Sequence, residues 1–181
     1  MIILMGVAGS GKSMQSRLLA DEYGYAWLST GEILRVLITG KRRQEMLEGK
    51  LLDDEEMIQV MDKVLDLIDT SRHFVLDGFP RTVKQADWLL DQVKKGRFKL
   101  TAVFHMKASE EVVRKRLTQR GRQDDTEEAI NKRFEEYRSV TLPIIDHFQE
   151  KGIHVYDIDA KKDVRAVHQA ITQVVHDEIR D

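Results

Sequence analysis

Apolar residues in this chain follow two rhythms. Short runs at residues 2–4, 25–28, 73–76, 100–104 and 153–156 are apolar with little polar alternation, the pattern of parallel strands covered on both faces. Between them lie longer stretches with apolar residues at i, i+3 and i+4, clearest at 62–68, 86–93 and 166–175, and this spacing predicts amphipathic helices. Strand and helix in alternation predict an α/β protein with a five-stranded parallel sheet flanked by helices. Pro80 and Pro143 are the only prolines, so few helices should be interrupted. No repeat, low-complexity tract or linker breaks the pattern.

At 181 residues the chain suits one domain with a sizeable core. Lys and Arg total 29 against 31 Asp and Glu, a balance that gives no general reason to expect nucleic acid or an anionic membrane as partner. Cysteine is absent, which excludes disulfides and thiolate metal sites and fits a reducing compartment. No run is long and apolar enough to span a bilayer, and Met1 leads directly into the first strand with no room for a cleavable leader. A cytoplasmic protein is expected.

The first chemical signal sits behind the first strand. Gly6-Val-Ala-Gly-Ser-Gly11-Lys12-Ser13 fits G-x-x-x-x-G-K-[ST], followed by a helix-compatible stretch from Met14 to Tyr23. Gly9 and Gly11 let backbone N–H groups turn toward phosphate oxygens, with Ser10 between them. The helix start adds free donors and the positive end of its dipole. Lys12 supplies a full charge, and Ser13 a hydroxyl able to reach Mg²⁺.

Four further segments narrow the chemistry: Leu28-Ser-Thr-Gly-Glu-Ile-Leu-Arg35, Leu76-Asp-Gly-Phe-Pro-Arg-Thr82 with Gln85, Arg116-Leu-Thr-Gln-Arg120-Gly-Arg122-Gln-Asp-Asp125, and Asn131-Lys-Arg133-Phe-Glu-Glu-Tyr137. With the glycine loop, in this order, the chain resembles the adenylate kinase family of nucleoside monophosphate kinases, from Met1 to about Val167. The resemblance implies the P-loop nucleoside triphosphate hydrolase fold. It also implies transfer of the γ-phosphoryl of MgATP to AMP, with Mg²⁺ as cofactor and ATP as co-substrate. Two polyanions must then be held in line while cations neutralise the moving group. The arginines of these segments suit that task.

By the same resemblance, Lys12, Arg81, Arg120, Arg122 and Arg133 are catalytic. Gly9, Ser10, Gly11, Lys12, Ser13, Met14, Arg116 and Lys161 bind ATP, Arg116 by stacking on its adenine. Thr30, Arg35, Leu51, Leu52, Gly78, Arg81 and Gln85 bind AMP. Ser13 and Asp77 serve Mg²⁺, partly through water, and Asp124 and Asp125 brace the lid. Plainer readings stand beside these. Ser29-Thr-Gly-Glu32 is also a capping box, Arg35 could be a surface residue, and Glu110 and Glu111 could pair with Arg114 and Lys115 at i, i+4. His105 could approach the nucleotide or be a satisfied, semi-buried imidazole. Trp27 and Trp88 read as packing residues.

The chain departs from the family in three places. Ala8 stands where proline is usual, and Ser13-Met14 replaces glycine-threonine. The segment between Arg35 and Gly49 is some six residues short, so the acceptor-binding arm, about residues 30–59, should be small. Arg120-Gly-Arg122 leaves a very short lid, about residues 117–126. The alternatives are a kinase for CMP, UMP or GMP and a non-catalytic nucleotide-binding regulator. A monomer working on free nucleotides is expected.

Overall fold

The computed structural model describes residues 1–47, 52–123 and 125–180. β1 (Ile2–Met5), β2 (Ala26–Ser29), β3 (Phe74–Asp77), β4 (Ala102–Lys107) and β5 (Val155–Asp159) form one parallel sheet in the order β2-β3-β1-β4-β5. All five expected strands are present, each reaching further toward its carboxyl end than its apolar run. Pairing rather than hydrophobicity sets those ends: Ser29 lies opposite Asp77, and His105 and Lys107 lie opposite Asp157 and Asp159. Polar residues are thereby gathered along the carboxyl edge, where ligands of open α/β sheets sit.

The helices are α1 (Lys12–Tyr23), α2 (Thr30–Leu37), α3 (Gly40–Leu47), α4 (Asp54–Leu65), α5 (Val83–Lys94), α6 (Glu110–Arg120), α7 (Glu127–Glu136), α8 (Pro143–Glu150) and α9 (Val164–Arg180). Strand alternation divides the core into two layers. Ile3, Phe74, Leu76 and Val103 face Met61 of α4, Leu89 of α5 and Phe148 of α8. Ile2, Leu4, Val75 and Phe104 face Leu19 of α1 and Ile171 and Val175 of α9. Trp88 packs on the first layer, edge-on to Phe79 at 6.0 Å.

A third, smaller apolar cluster lies apart from the sheet. Val7 of the glycine loop packs with Val113 and Leu117 of α6 and with Ile130 and Phe134 of α7. Residues 121–126 alone separate those two helices. The helix expected from about Thr126 is α7, and the Thr126 hydroxyl caps it by accepting from the Ala129 N–H at 3.2 Å. The helix read at 62–68 begins earlier, at Asp54, where Asp53 accepts from the Glu56 N–H at 2.9 Å.

Between α7 and α8 the chain makes a π turn, Tyr137–Thr141. The Leu142 N–H reaches the Tyr137 carbonyl at 2.8 Å, five residues back. Pro143, two residues beyond the turn, explains it: proline donates no N–H, and its ring clashes with the carbonyl four residues earlier in a regular helix.

Candidate functional site

The glycine loop carries the chain from β1 to α1 over the carboxyl edge of the sheet. Gly9 has φ of 85°, and a Cβ placed there would lie 2.8 Å from Leu117 Cγ, so glycine is needed for conformation and for the approach of α6. Lys12 is buried and folds back over the loop, its Nζ donating to the carbonyls of Gly6 at 2.6 Å and Val7 at 2.8 Å. Burial lowers its pKa from 10.5 to about 8; Asp77 opposes that shift, while Arg81, Arg120 and Arg133 add to it.

Asp77, at the end of β3, is buried and collects the neighbouring hydroxyls. Ser13 Oγ donates to Asp77 Oδ2 at 2.5 Å and Ser29 Oγ to the same oxygen at 3.1 Å. Thr30 Oγ1 donates to the Asp77 carbonyl at 3.2 Å. Gly78 follows with φ of 83°, and a Cβ there would come within 2.6 Å of Thr30 Oγ1. The Ser29–Glu32 capping box does not form. Ser29 makes no side-chain cap bond, because its hydroxyl is taken by Asp77, and Glu32 pairs with Arg35 at 3.1 Å and with Arg122 at 3.2 Å.

These groups open onto a cavity of about 860 Å³, a size common for small-molecule sites. On the glycine-loop side it is lined by Gly9, Gly11, Lys12, Ser13, Met14 and Arg116. Thr30, Arg35, Leu52, Gly78, Arg81 and Gln85 line the opposite side, and Asp77, Arg120, Arg122 and Arg133 complete the wall. Two expected residues are elsewhere. Ser10, within the loop, is buried and off the cavity wall, and Lys161 borders a separate depression beside His105 and Lys107. The neighbouring Ala160 carbonyl does reach the loop region, accepting from Arg116 at 2.9 Å. Leu51 and Asp124 lie outside the described residues.

Acidic partners hold the arginines in place. Asp125, whose side chain is only 1% exposed, accepts from Arg120 Nη2 at 2.5 Å, from Arg133 Nη1 at 3.3 Å and from the Arg122 N–H at 3.1 Å. Arg114, in contrast, is committed to Glu110 at 2.8 Å and Glu127 at 2.9 Å, as the helix-face reading anticipated. Arg81 donates from Nε to the Gly78 carbonyl at 2.9 Å, and burial lowers its pKa.

Gln85 is buried and engaged at both ends. Its Oε1 accepts from the Arg81 N–H at 2.8 Å, and its Nε2 donates to Asp54 Oδ1 at 2.8 Å. Asp54 also accepts from Thr82 at 2.7 Å. Sequence reasoning missed Asp54, which sits in an acidic run that reads as an ordinary helix start. It also missed Glu136, which lies half-buried in the cleft wall between arginines. Its acid is pushed up by burial and pulled down by Lys132, Arg81 and Arg133.

A strand, glycine loop and helix at the carboxyl edge of a parallel sheet, with a buried lysine and converging arginines in one cleft, define a P-loop nucleotide-binding protein. The family model for adenylate kinase matches residues 4–153. The chain is 38% identical to the adenylate kinase of Corynebacterium urealyticum over 93% of this chain and 95% of that one. It is 35% identical to that of Agrobacterium fabrum, over 96% of each, and 31% identical to that of Archaeoglobus fulgidus, over 96% and 97%. The chain belongs to the adenylate kinase family. No described helix is long and apolar enough to cross a membrane.

Proposed function

We propose that the protein transfers the γ-phosphoryl group of MgATP to AMP, giving two ADP, in a reversible reaction. The observation that carries this reading is one cleft with cations on two sides: Lys12, Arg120 and Arg133 beside the glycine loop, Arg35 and Arg81 facing them. Such an arrangement can hold two phosphate chains end to end, which is most of what phosphoryl transfer asks of a protein. Lys12 follows the charge of the moving group, Arg120, Arg122 and Arg133 neutralise it from the lid side, and Arg81 and Arg35 fork onto the acceptor phosphate. Arg116 packs against the donor base, with Gly9, Gly11 and Met14 around its phosphates. The arm at 30–59 is the acceptor side and residues 117–126 are the lid.

The Ser13 hydroxyl and Asp77 carboxylate are hard oxygen groups, suited to Mg²⁺ that arrives with nucleotide phosphates and keeps several waters. Held by these two residues, Mg²⁺ would supply positive charge beside the phosphates during transfer. Thr30, Leu52 and Gln85 meet the acceptor base. Each atom of the Gln85 amide keeps one hydrogen-bonding direction beyond its partners in the protein. We also read the protein as a cytoplasmic monomer without nucleic-acid or membrane partners, in keeping with its near-neutral charge balance. A coupled assay with ATP and a panel of nucleoside monophosphates, with and without Mg²⁺, tests the assignment. AMP-dependent ADP formation is the expected result, and no transfer to any monophosphate would overturn it.

A further inference from the structure

The π turn borders the cleft and is tied down at both ends by its own side chains, Tyr137 and Thr141. At its start, the Tyr137 hydroxyl is hydrogen-bonded to His105 Nε2. At its end, Thr141 Oγ1 donates to the Arg81 carbonyl at 3.3 Å. The helix that runs into the turn carries Arg133, one turn before Tyr137. The turn therefore touches two arginines of the cleft at once, and its anchor in the sheet is a histidine.

His105 stands at the carboxyl end of β4 and is 5% exposed. Its Nδ1 is 3.1 Å from Asp157 Oδ1 on β5, and the other oxygen of Asp157 accepts from Lys107 at 2.7 Å. A carboxylate can only accept, so Nδ1 carries a proton; burial lowers the ring's pKa and keeps it from taking a second, which leaves Nε2 to accept from the Tyr137 hydroxyl. The imidazole is thus neutral, a single rigid link from the sheet to the turn. We propose that His105 is a positioning residue for the reaction: through Tyr137 it pins the π turn, and the turn holds Arg133 and the Arg81 backbone in register with the phosphates.

The charged groups around the ring fix the direction of the pH response. Asp157 raises the pKa of His105; burial, Lys107 and Lys12 lower it, and the net result lies below 6.5. Tyr137, pushed up to about 12 by burial, stays protonated. Lys161 and Asp159 border the same depression. When His105 gains a proton, Nε2 becomes a donor. The bond to Tyr137 then reverses, leaving the tyrosine proton to find another acceptor in a buried site while a new cation faces Lys12, so the turn is seated best at neutral pH and loosens in acid.

The inference rests on the proposed reaction, and kcat and the KM for AMP measured from about pH 8 to about pH 5 across the histidine range test it. For the wild type, kcat should fall in the acid range. His105→Gln keeps a donor for Asp157 and an acceptor for Tyr137 but does not titrate. It should match the wild-type kcat at the alkaline end within about threefold and lose the acid limb. Phosphate esters themselves titrate near pH 6, so the comparison between these two proteins carries the result. Tyr137→Phe, folded by circular dichroism, should lower kcat by about tenfold or more at the alkaline end, as expected of misplaced charged groups, with the gap to wild type narrowing in acid. An unchanged acid limb in His105→Gln, or a wild-type kcat in Tyr137→Phe at the alkaline end, would overturn the proposal. A wild type that transfers nothing to AMP at any pH would instead remove the reading of the cleft.

Discussion

Arg122 and Glu32, ninety positions apart in the chain, meet at 3.2 Å across the mouth of the cleft. One belongs to the connection at 121–126 and the other to α2, so the two sides of the cleft touch through an exposed ion pair. Pairs of this kind contribute about 0–1 kcal/mol, which makes a weak seal.

Water should therefore reach the γ-phosphoryl group when no acceptor is present. We expect measurable phosphate release from MgATP alone, and a several-fold higher ratio of hydrolysis to transfer in Glu32→Gln. Phosphate release at the assay background without AMP would mean that residues 117–126 close the site despite their length.

Replacing Lys12 with Met should reduce turnover by orders of magnitude while weakening nucleotide binding much less, because the charge acts mainly on the transferring group. The same change should stabilise the fold. The Lys12 pKa falls from 10.5 to about 8, so between those values the unfolded chain binds more protons and wild-type stability rises with pH. At pH 7 the native protein carries the full burden of a buried charge, at most about 3 kcal/mol on the linkage arithmetic. Lys12→Met should melt several degrees higher than wild type at pH 7, a difference that shrinks above pH 8. A lower melting temperature at pH 7 would contradict this.

AMP should be preferred over CMP, UMP and GMP by at least about a hundredfold in kcat/KM, since a polar site rejects bases that leave its groups unpaired. Gln85→Leu should lower that ratio. It should also slow transfer to every acceptor, because Gln85 accepts from the Arg81 N–H and its loss frees the Arg81 backbone as well as the base contact. Equal phosphorylation of CMP and AMP by the wild type would end the adenine assignment and leave the kinase assignment standing.

Asp125 joins Arg120, Arg133 and the Arg122 backbone through one buried carboxylate. Hydrogen bonds to charged groups are worth roughly 1.5–3 kcal/mol each in favourable cases. Asp125→Ala should therefore lower the melting temperature by several degrees and raise the KM for ATP. Unfolding curves and donor saturation curves read the two effects separately.

The strands were legible because each apolar run is contiguous and short, and the glycine loop because its residue types are dictated by phosphate geometry. The arginines that converge on the cleft could be named from their segments. Their partners could not. Asp54 holds Gln85 and Thr82 from a helix that neighbours them only in space, and Glu32 looked like half of a capping box until its carboxylate met two arginines. His105 carried two open readings, and the satisfied imidazole is the one found, with both ring nitrogens partnered. Lys161 was expected at the donor side and borders another depression, because β5 and its turn direct the Ala160 carbonyl, not that side chain, toward Arg116. Such facts depend on tertiary neighbours, which spacing along one chain does not record.

The small cluster of Val7, Val113, Leu117, Ile130 and Phe134 binds the fate of the glycine loop to two helices that lie outside the sheet. Gly9 packs so closely on Leu117 that a side chain at Gly9 would collide with it. Loop and helices therefore behave as one part: a side chain at Gly9 needs Leu117 and Val113 to give way, while the connection at 121–126 keeps its own tie to the cleft through Asp125. A heat-sensitive lesion in α6 would accordingly show first as slackened grip on a phosphate chain, at temperatures where the sheet is still intact.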